Sequence, residues 1–499
     1  MTPSRSRARP LRAASHIPVR LAHAALGGAI GVMWLVLPGV TAGHQDHEVT
    51  VSAADSAPAA APEDETSSGD LVLPLVAAGA ATAVAAYGYT RRRRRSGTAA
   101  QPAPVTDGTA PPAPELDRQA RKSLVTTDDC VRTSREELAF VEGLFGTDAV
   151  APFTAALRYA EAELTTAFQL RQTYDDNPAA ASRDTLDEIV ARCVDAGRRL
   201  DAEAAGFDQL RALERDMSGA LRHAEVRFRE LTGRTASAGA TLTDLAERYA
   251  PSASLAAAGN VEQAKDRLVF ATTGLNRARQ YADTGETDKA VRQLRAAEGA
   301  IAQAEVFVDG VDRLASALAA AAQALPEALD EAEAAVVEST APGVAAGPLA
   351  AVREEAAAGP HDPLEALRRV AEVCAPLGSV PDAVRLVARA ATADADGVVG
   401  THRGAVGAEA RTRLAEARRL LDRTPAEADT FARRSRELAE QDIRAHGNPY
   451  GGRPEHTNGV AGAVLGGILL GDLPDAQGEA LTGGAPGSYG GPATRARRG

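Results

Sequence analysis

The feature that most limits the fold of this chain is the stretch from about Leu116 to Ala445, which reads almost wholly as α-helix. The chain contains 44% hydrophobic residues but only 4% aromatic ones, so it buries apolar area mainly through Ala, Leu and Val. That composition favours closely packed helices over a sheet of β-branched and aromatic residues. The sequence therefore predicts a mainly α protein.

Capping residues and helix breakers mark the boundaries of the predicted helices. The stretch Asp362–Glu365 combines an N-cap aspartate with proline at the first helical position, and Thr424–Glu427 repeats this pattern. Breaks between helices are expected at six places, which are Asn177-Pro178, Gly259-Asn260, Thr284-Gly285, Pro326, Pro342-Gly343 and Gly359-Pro360.

Two consecutive predicted helices carry apolar seams in which Ala alternates with larger aliphatic residues. Spacings of three and four place each seam on one helix face. The short break at Asp283 to Glu286 would fold the two helices into an antiparallel hairpin. We therefore expect an elongated antiparallel helical-hairpin or coiled-coil-like bundle. The larger seam residues are Val261, Leu268, Leu275, Leu294, Ile301 and Val308.

The first ninety residues contain two apolar runs. Residues 1–42 join a basic start to an apolar run and end in small residues, which predicts a signal peptide or a first membrane helix. Residues 43–70 are acidic and rich in Ala, Pro and Ser, which predicts a short disordered exported segment. The run that begins at Leu71 is uncharged and about long enough to cross a bilayer, so residues 71–90 are predicted to be a transmembrane helix.

Five arginines follow this helix directly, namely Arg91, Arg92, Arg93, Arg94 and Arg95. Basic residues that flank a membrane helix stay on the cytoplasmic side, so this run predicts a stop-transfer signal that also contacts anionic lipid headgroups. A nucleic-acid patch is the lesser alternative, because the chain as a whole has a net charge of −12. We predict a single-pass protein of the cell membrane with a cytoplasmic C-terminal region and no nucleic-acid partner.

Three further segments complete the predicted organisation. Residues 91–115 form a basic and Pro/Ala-rich linker, residues 116–445 the cytoplasmic helical bundle, and residues 446–499 a Gly-rich disordered tail.

Within the Gly-rich tail, Gly462 and Gly466 have the GxxxG spacing. That spacing pairs helices only inside a membrane, and the apolar run around it is too short to span one. We therefore interpret it as part of a sticky tail or a peripheral membrane contact.

No residue pattern in the chain indicates catalysis, a metal or a cofactor. There is no histidine pair with metal-ligand spacing, no Gly-rich phosphate loop and no nucleophile elbow. His44 and His47 are interpreted as part of a solvated segment, and His402 as a residue that caps or packs a helix. The three cysteines are expected to be free thiols that fill apolar space, and they are Cys130, Cys193 and Cys374.

Several long stretches resemble the C-terminal half of actinobacterial TPM-domain membrane proteins. They are RFRELTGRTASAGATL (227–242), NVEQAKDRLVFATTGLNRAR (260–279), THRGAVGAEARTRLAEARRLL (401–421), and NPYGG leading to GAVLGGILLG in the tail. In that family a signal peptide precedes an exported α/β TPM domain, and a membrane helix, a long cytoplasmic helical region and a Gly-rich tail follow. The resemblance covers nearly everything after about Leu71 and implies the same architecture there.

The chain departs from that family between Ala42 and Leu71, where only about 28 residues lie. A TPM domain needs roughly a hundred residues, so the exported domain is expected to be missing. The phosphatase-like or metal-binding activity of some TPM domains therefore has no matching residues here.

These observations predict a membrane-anchored, non-enzymatic helical scaffold or adaptor at the inner face of the cell envelope. It would bind protein partners, or further copies of itself, through the helical region. Three alternatives stay open: an accessory that acts with a full-length TPM protein, a degenerate TPM phosphatase, and a secreted helical protein.

Overall fold

The computed structural model describes residues 112–177, 182–213, 215–338, 342–377, 383–446, 459–469 and 485–498, all within one compact unit, Gly108–Gly499. These residues are almost entirely helical and include no β-strand, which confirms the predicted mainly α bundle. The predicted signal, exported and transmembrane segments lie outside the described residues, as do Arg91 to Arg95. Among the residues that are described, no helix is both long and apolar enough to cross a membrane.

The helices follow one another with short connections. In chain order they are α1 (Ala113–Phe145), α2 (Thr147–Asp176), α3 (Arg183–Arg211), α4 (Met217–Arg248), α5 (Pro251–Ser254), α6 (Asn260–Asp283), α7 (Thr287–Glu338), α8 (Pro342–Ala358), α9 (Pro363–Cys374), α10 (Val384–Thr401), α11 (Ala408–Leu420), α12 (Pro425–His446), α13 (Val460–Leu465) and α14 (Pro492–Arg498). Short 3-10 turns extend α5 at Leu255–Ala257 and α9 at Ala375–Leu377.

The predicted hairpin is formed by α6 and α7. Gly285 closes the turn with a φ of 76°, a conformation that glycine adopts without strain. Two side-chain contacts near the far end show that the helices run antiparallel, since Arg267 Nε donates to Gln303 Oε1 (3.0 Å) and Asn260 Nδ2 donates to the Phe307 carbonyl (3.2 Å). All six larger seam residues lie in one buried cluster, with exposures from 0 to 8%.

Helix capping follows the predicted signals at α9. The Asp362 carboxylate accepts hydrogen bonds from the backbone N–H groups of Leu364 and Glu365, both at 3.1 Å. Five of the six predicted breaks coincide with helix ends.

The predicted break at Pro326 is wrong, because α7 continues through it for a total of 52 residues, or about 78 Å. A proline inside a helix removes one hydrogen bond and costs about 3 kcal/mol. Here the flanking residues Leu325, Ala328, Leu329 and Ala332 are at most 3% exposed and pack in a core shared with α8, α9 and α10. That burial outweighs the local penalty.

Separate hydrophobic clusters divide the helical body. One, the hairpin cluster, joins α4, α6 and α7, and another, the N-terminal cluster, joins α1, α2 and α3. Two further clusters lie between the second half of α7 and α8–α10, and between α10, α11 and α12. Because α7 contributes to two of these four clusters, it connects otherwise separate parts of the core.

The expectation of a tail without stable structure is wrong for two of its segments. Residues 459–469 and 485–498 lie against the helical body, and we call them tail segment 1 and tail segment 2. Ala463, Ile468 and Leu469 belong to the hairpin cluster, and Tyr489 belongs to the N-terminal cluster. The expectation followed from the Gly-rich composition of the tail. It overlooked these few apolar side chains, which pack against the helical body. Residues 447–458 and 470–484 lie outside the described part.

The seam should carry much of the stability of the hairpin. We expect Ile301→Ala to lower the free energy of unfolding by about 2–5 kcal/mol, because Ile301 is 1% exposed and its loss leaves a cavity. Val269→Ala, at a residue of the same hairpin that is 51% exposed, should change it by less than about 0.5 kcal/mol. Guanidinium unfolding followed by circular dichroism measures both. Equal effects of the two substitutions would contradict the assignment of the seam as core.

Candidate interaction site beneath the C-terminal tail

The most elaborate polar site in the described residues is the surface that holds the tail, formed mainly by α1, α3, α6, α7 and the loop between α10 and α11. We call it the tail groove. Its polar groups include arginines that are almost fully buried, which is rare for this side chain unless each is paired. Arg267 is 0% exposed, Arg403 2% and Arg411 2%.

Arg403 holds the end of α13. Its Nε donates to the Gly466 carbonyl at 2.9 Å, and the same oxygen accepts from Gln303 Nε2 at 2.6 Å. The Leu465 carbonyl accepts from the Gly404 N–H at 2.9 Å. The last carbonyls of a helix lack partners within the helix, and a cation there is electrostatically favoured. The body thus satisfies the exposed end of a helix that is only six residues long.

Arg403 is itself oriented by α1. Its Nη2 contacts both carboxylate oxygens of Glu136, at 2.6 and 2.7 Å, and its Nη1 lies 3.4 Å from Thr133 Oγ1. A guanidinium held in this way has one preferred orientation. Arg403 therefore joins α1 to tail segment 1 through a single side chain.

The two glycines of the GxxxG spacing face the body and not a lipid phase. A Cβ atom on Gly462 would lie 1.7 Å from Arg267 Nη1, and one on Gly466 would lie 2.1 Å from Gln303 Oε1. Arg267 cannot easily move away, because it donates to Gln303 Oε1 and, at 2.8 Å, to Asp266 Oδ2. The spacing is thus used for close packing inside the protein, so the interpretation as a sticky tail or membrane contact is wrong for these two residues.

Tail segment 2 is fixed by an aromatic side chain. Tyr489 is 1% exposed and stacks on Phe207, with ring centroids 4.3 Å apart and planes inclined by 13°. Phe153 meets the same ring edge to face at 5.9 Å, and its carbonyl accepts the Tyr489 hydroxyl at 3.0 Å. Burial raises the pKa of this hydroxyl. Tyr489 thus fills an apolar pocket and satisfies its polar end, as buried tyrosines usually do.

The start of α14 is capped by a residue of α3. The Asp201 carboxylate accepts from the N–H groups of Gly491 (3.0 Å), Ala493 (3.2 Å) and Thr494 (2.8 Å). A carboxylate at a helix N-terminus satisfies donors that lack partners and matches the helix dipole. The last turn of α14 carries Arg498, which pairs with Asp208, two turns further along α3 than Asp201 and near its C-terminal end.

A second set of ion pairs, buried or half-buried, holds α10 and α11 against α1. Arg411 of α11 donates to Asp128 (2.6 Å) and Asp129 (2.7 Å) of α1. Arg132 pairs with Asp396 of α10 at 2.9 Å. Burial alone would raise the pKa of Asp396, but Arg132 and Arg418 outweigh it and lower this pKa to about 2. The carboxylate therefore stays charged at neutral pH.

The Arg211 guanidinium serves two acids, Glu137 of α1 and Glu298 of α7, and all three side chains are buried. Burial and the nearby Glu137 raise the pKa of Glu298 against the opposing attraction of Arg211. The cavity beside them, under tail segment 1, measures about 20 Å³. Such a space holds about one water molecule, and it is too small for a substrate.

The residues predicted to be functional do not form this groove. Arg91 to Arg95 lie outside the residues that the structure describes. The six seam residues lie within the hairpin, although their cluster also includes Ile468 of tail segment 1. His402 is the C-cap residue of α10, with its backbone N–H bonded to the Val398 carbonyl at 3.1 Å. His44 and His47 lie outside the described residues. Among the described residues, no group of three His, Cys, Asp or Glu side chains could hold a metal ion.

The three cysteines are buried free thiols. Burial raises the pKa of Cys130 to about 11 and that of Cys193 to about 12, and it also raises the pKa of Cys374. A thiol with a raised pKa is a poor nucleophile at neutral pH. These side chains fill apolar space and do not form a reactive site.

The sequence interpretation missed the residues that build the groove. Arg267, Arg403 and Arg411 look like ordinary surface arginines in a helical sequence, and Asp201 looks like one acidic residue among many. One signal was present, because Tyr489 is an aromatic residue in the Gly-rich stretch GSYGG (487–491) of a chain with few aromatics. An aromatic anchor in a Gly-rich tail indicates docking onto a surface.

Docking of tail segment 1 should depend on Gly404. A Cβ atom there would lie 2.6 Å from the Val464 carbonyl oxygen and 2.9 Å from that of Leu465. We expect Gly404→Ala to accelerate amide hydrogen exchange in residues 459–469 by roughly tenfold or more, since overpacking costs about 1–3 kcal/mol. Gly239→Ala is the matched control, because nothing lies within 4 Å of its Cβ position. Unchanged exchange in Gly404→Ala would contradict the assigned contact.

His402 should make stability depend on pH. Burial, and then the neighbouring Arg267, lower its pKa to about 4, whereas an unfolded histidine titrates near 6.5. Between these values the unfolded chain binds the proton and the folded chain does not, so stability falls as pH drops from about 6.5 to 4. The slope is at most about 1.4 kcal/mol per pH unit.

We expect His402→Gln to reduce this slope in unfolding titrations at pH 7 to 4.5. His446→Gln is the control, because His446 is exposed at the end of α12. Identical slopes in the wild-type chain and in His402→Gln would show that His402 does not carry the effect.

Comparison of the sequence with known proteins finds two relatives. UPF0603 protein MT2410 and UPF0603 protein Rv2345, from Mycobacterium tuberculosis strains CDC 1551 and H37Rv, are each 32% identical to it over 435 residues. The match covers 77% of this chain but 64% of each relative, so the chain spans less than two thirds of their length. No protein-family model matches the chain, and no solved structure does. The chain is homologous to these UPF0603 proteins of an actinobacterium.

Proposed function

We propose that this protein is a membrane-anchored, non-enzymatic helical scaffold that binds peptide segments of proteins at the inner face of the cell envelope. The observation that carries the proposal is the tail groove. There the helical body holds two stretches of glycine-rich chain through Gly404, Gln303, Arg403 and Asp201, which bond to backbone atoms. Main-chain hydrogen bonds that give affinity, combined with a pocket for a side chain that gives specificity, are a known way of recognising a peptide segment.

The electrostatics of the groove favour this role over catalysis. Its buried charges are paired with each other or with main-chain carbonyls, and the cavity among them has room for about one water molecule. Catalytic groups need an accessible space for a substrate beside a side chain of shifted pKa. A site arranged in this way positions a chain segment.

The location of the protein rests on its sequence. Residues 71–90 form the proposed membrane helix, and Arg91 to Arg95 keep the following residues on the cytoplasmic side and contact anionic lipid headgroups. The resemblance to TPM-domain membrane proteins implies the same order of anchor, helical body and tail.

A second candidate is an accessory that acts with a full-length TPM protein. It is favoured by the coverage of the match, which takes in 64% of each UPF0603 relative and leaves the rest of each relative unmatched. In that case a full-length relative should co-purify with the chain from solubilised membranes, whereas a scaffold for other partners would be isolated without it.

The topology can be tested by protease protection in intact protoplasts. We expect an epitope tag after Gly499 to survive external protease until the membrane is breached. A tag inserted in residues 43–70 is the matched control and should be removed. Immediate loss of the C-terminal tag would place the helical body outside the cell and favour a secreted protein.

Changing Arg91 to Arg95 all to Glu should disturb membrane insertion in the same assay, because the positive charge that keeps the following residues on the cytoplasmic side is lost.

A further inference from the structure

Tail segment 2 is bound mainly by residues of α1, α2 and α3, and its first residues also pair with Ile468 and Leu469 of tail segment 1. The pocket for Tyr489 is made by Phe153 and Phe207, and the helix cap by Asp201. Ser134 Oγ accepts the Gly490 N–H at 3.2 Å, and Arg498 is paired with Asp208. We call this set of contacts the Tyr489 dock. These contacts recognise four features of the sequence SYGGPATRARR: the ring of Tyr489, the main chain at Gly490, the N-terminus of α14 and the guanidinium of Arg498.

The fit is close enough to exclude most other sequences. A Cβ atom on Gly491 would lie 2.1 Å from the Gly197 carbonyl oxygen, and Gly490 has a φ of 135°, which a residue with a side chain rarely adopts. On the dock side, a Cβ atom on Gly197 would lie 2.6 Å from Pro492 Cδ. Gly197 of the dock and Gly491 of the tail thus allow the two backbones to lie in close contact. A partner that binds the dock must therefore carry this same peptide.

The bound peptide owes its conformation to the dock. Helix α14 has seven residues, and helices this short are not stable in water without tertiary contacts. In the described residues one main-chain hydrogen bond joins the two tail segments, from the Gly487 N–H to the Ile468 carbonyl at 3.1 Å. Tail segment 2 thus makes its main contacts with α1–α3, and these contacts would be the same whichever copy of the chain supplied the peptide.

The chain length allows a neighbouring copy to supply it. Fifteen residues, 470–484, separate the two tail segments. A connection of this length reaches up to about 50 Å when extended. The charge of the peptide matches that of the dock, because Arg498 pairs with Asp208 and Arg495 lies 3.8 Å from Asp129, and a second copy carries the same cationic peptide.

We propose that the Tyr489 dock is exchangeable, and that two copies of this chain bind each other by seating tail segment 2 of one in the dock of the other. Exchange of an identical element between copies costs little, because every contact broken in one chain is remade in the other. Within one chain the tail is present at an effective concentration of about millimolar, so exchange is favoured where copies are crowded. This inference rests on the scaffold proposal, and it supplies a partner for that scaffold.

The test separates the dock and the tail onto different chains. The dock-blocked variant combines Gly197→Gln and Asp201→Ala, which obstruct the site and remove the cap while favouring helix in α3. The tail-dead variant is Tyr489→Ala, which keeps the dock intact. The two full-length chains carry different affinity tags and are mixed in detergent solution, where membrane topology plays no part.

We expect the mixture to give a one-to-one complex that is captured through either tag, whereas each variant alone stays monomeric by size-exclusion light scattering. A synthetic peptide of residues 485–498 should bind the tail-dead chain at least tenfold more tightly than the dock-blocked chain, by fluorescence anisotropy. The same peptide with Tyr489→Ala should bind neither. Circular dichroism checks that both chains are folded.

Two results would overturn the proposal. If the peptide binds the tail-dead chain but the mixture forms no complex, the dock serves only its own tail. If the peptide binds neither folded chain, the dock is not an independent binding site. In either case the scaffold proposal would stand or fall separately, on the topology experiment and on partners that bind elsewhere on the body.

Discussion

The part of the tail groove that holds tail segment 1 depends on the position of one buried guanidinium, that of Arg411. It bonds to Asp128 and Asp129 of α1 and also donates to the carbonyls of Arg403 (2.7 Å) and Val406 (3.2 Å). The loop between α10 and α11 is thereby fixed against α1. Only in that position do Arg403 and Gly404 reach the end of α13. Removing one partner of a buried charge pair leaves the other charge without compensation and typically costs about 3–5 kcal/mol.

Buried arginines fix how the helices align in a core that is rich in alanine. An Ala–Ala contact buries little area and specifies register poorly, because adjacent positions along the helix look alike. A guanidinium with several fixed donors has only one register in which every donor is satisfied. Arg267, Arg403 and Arg411 therefore align the hairpin, the α10–α11 loop and α1 against each other, where aliphatic side chains alone would permit sliding.

The parts of the fold that sequence predicted are those set by local physics. The seam from Val261 to Val308, the turn at Gly285 and the cap at Asp362 follow from helix periodicity and from the chemistry of single residues. The parts that it missed are set by contacts distant in sequence. Pro326 is accommodated because Leu325 and Leu329 are buried against other helices, and Gly462 is required only because Arg267 lies opposite. Arg403 and Glu136, although 267 residues apart, form one site that no local pattern could reveal.

The tail contributes to two clusters of the core. Ile468 extends the hairpin cluster, and Tyr489 completes the N-terminal cluster. The hydrogen bond from the Gly487 N–H to the Ile468 carbonyl links them through main chain alone. Such an element is the last to gain from folding, since both of its sites must exist before it can dock. Its two helices have only six and seven residues, so they have no stability of their own once their contacts with the body open. Release of the tail would leave the contacts between the long helices intact, and this is the property that the proposed exchange of tail segment 2 requires.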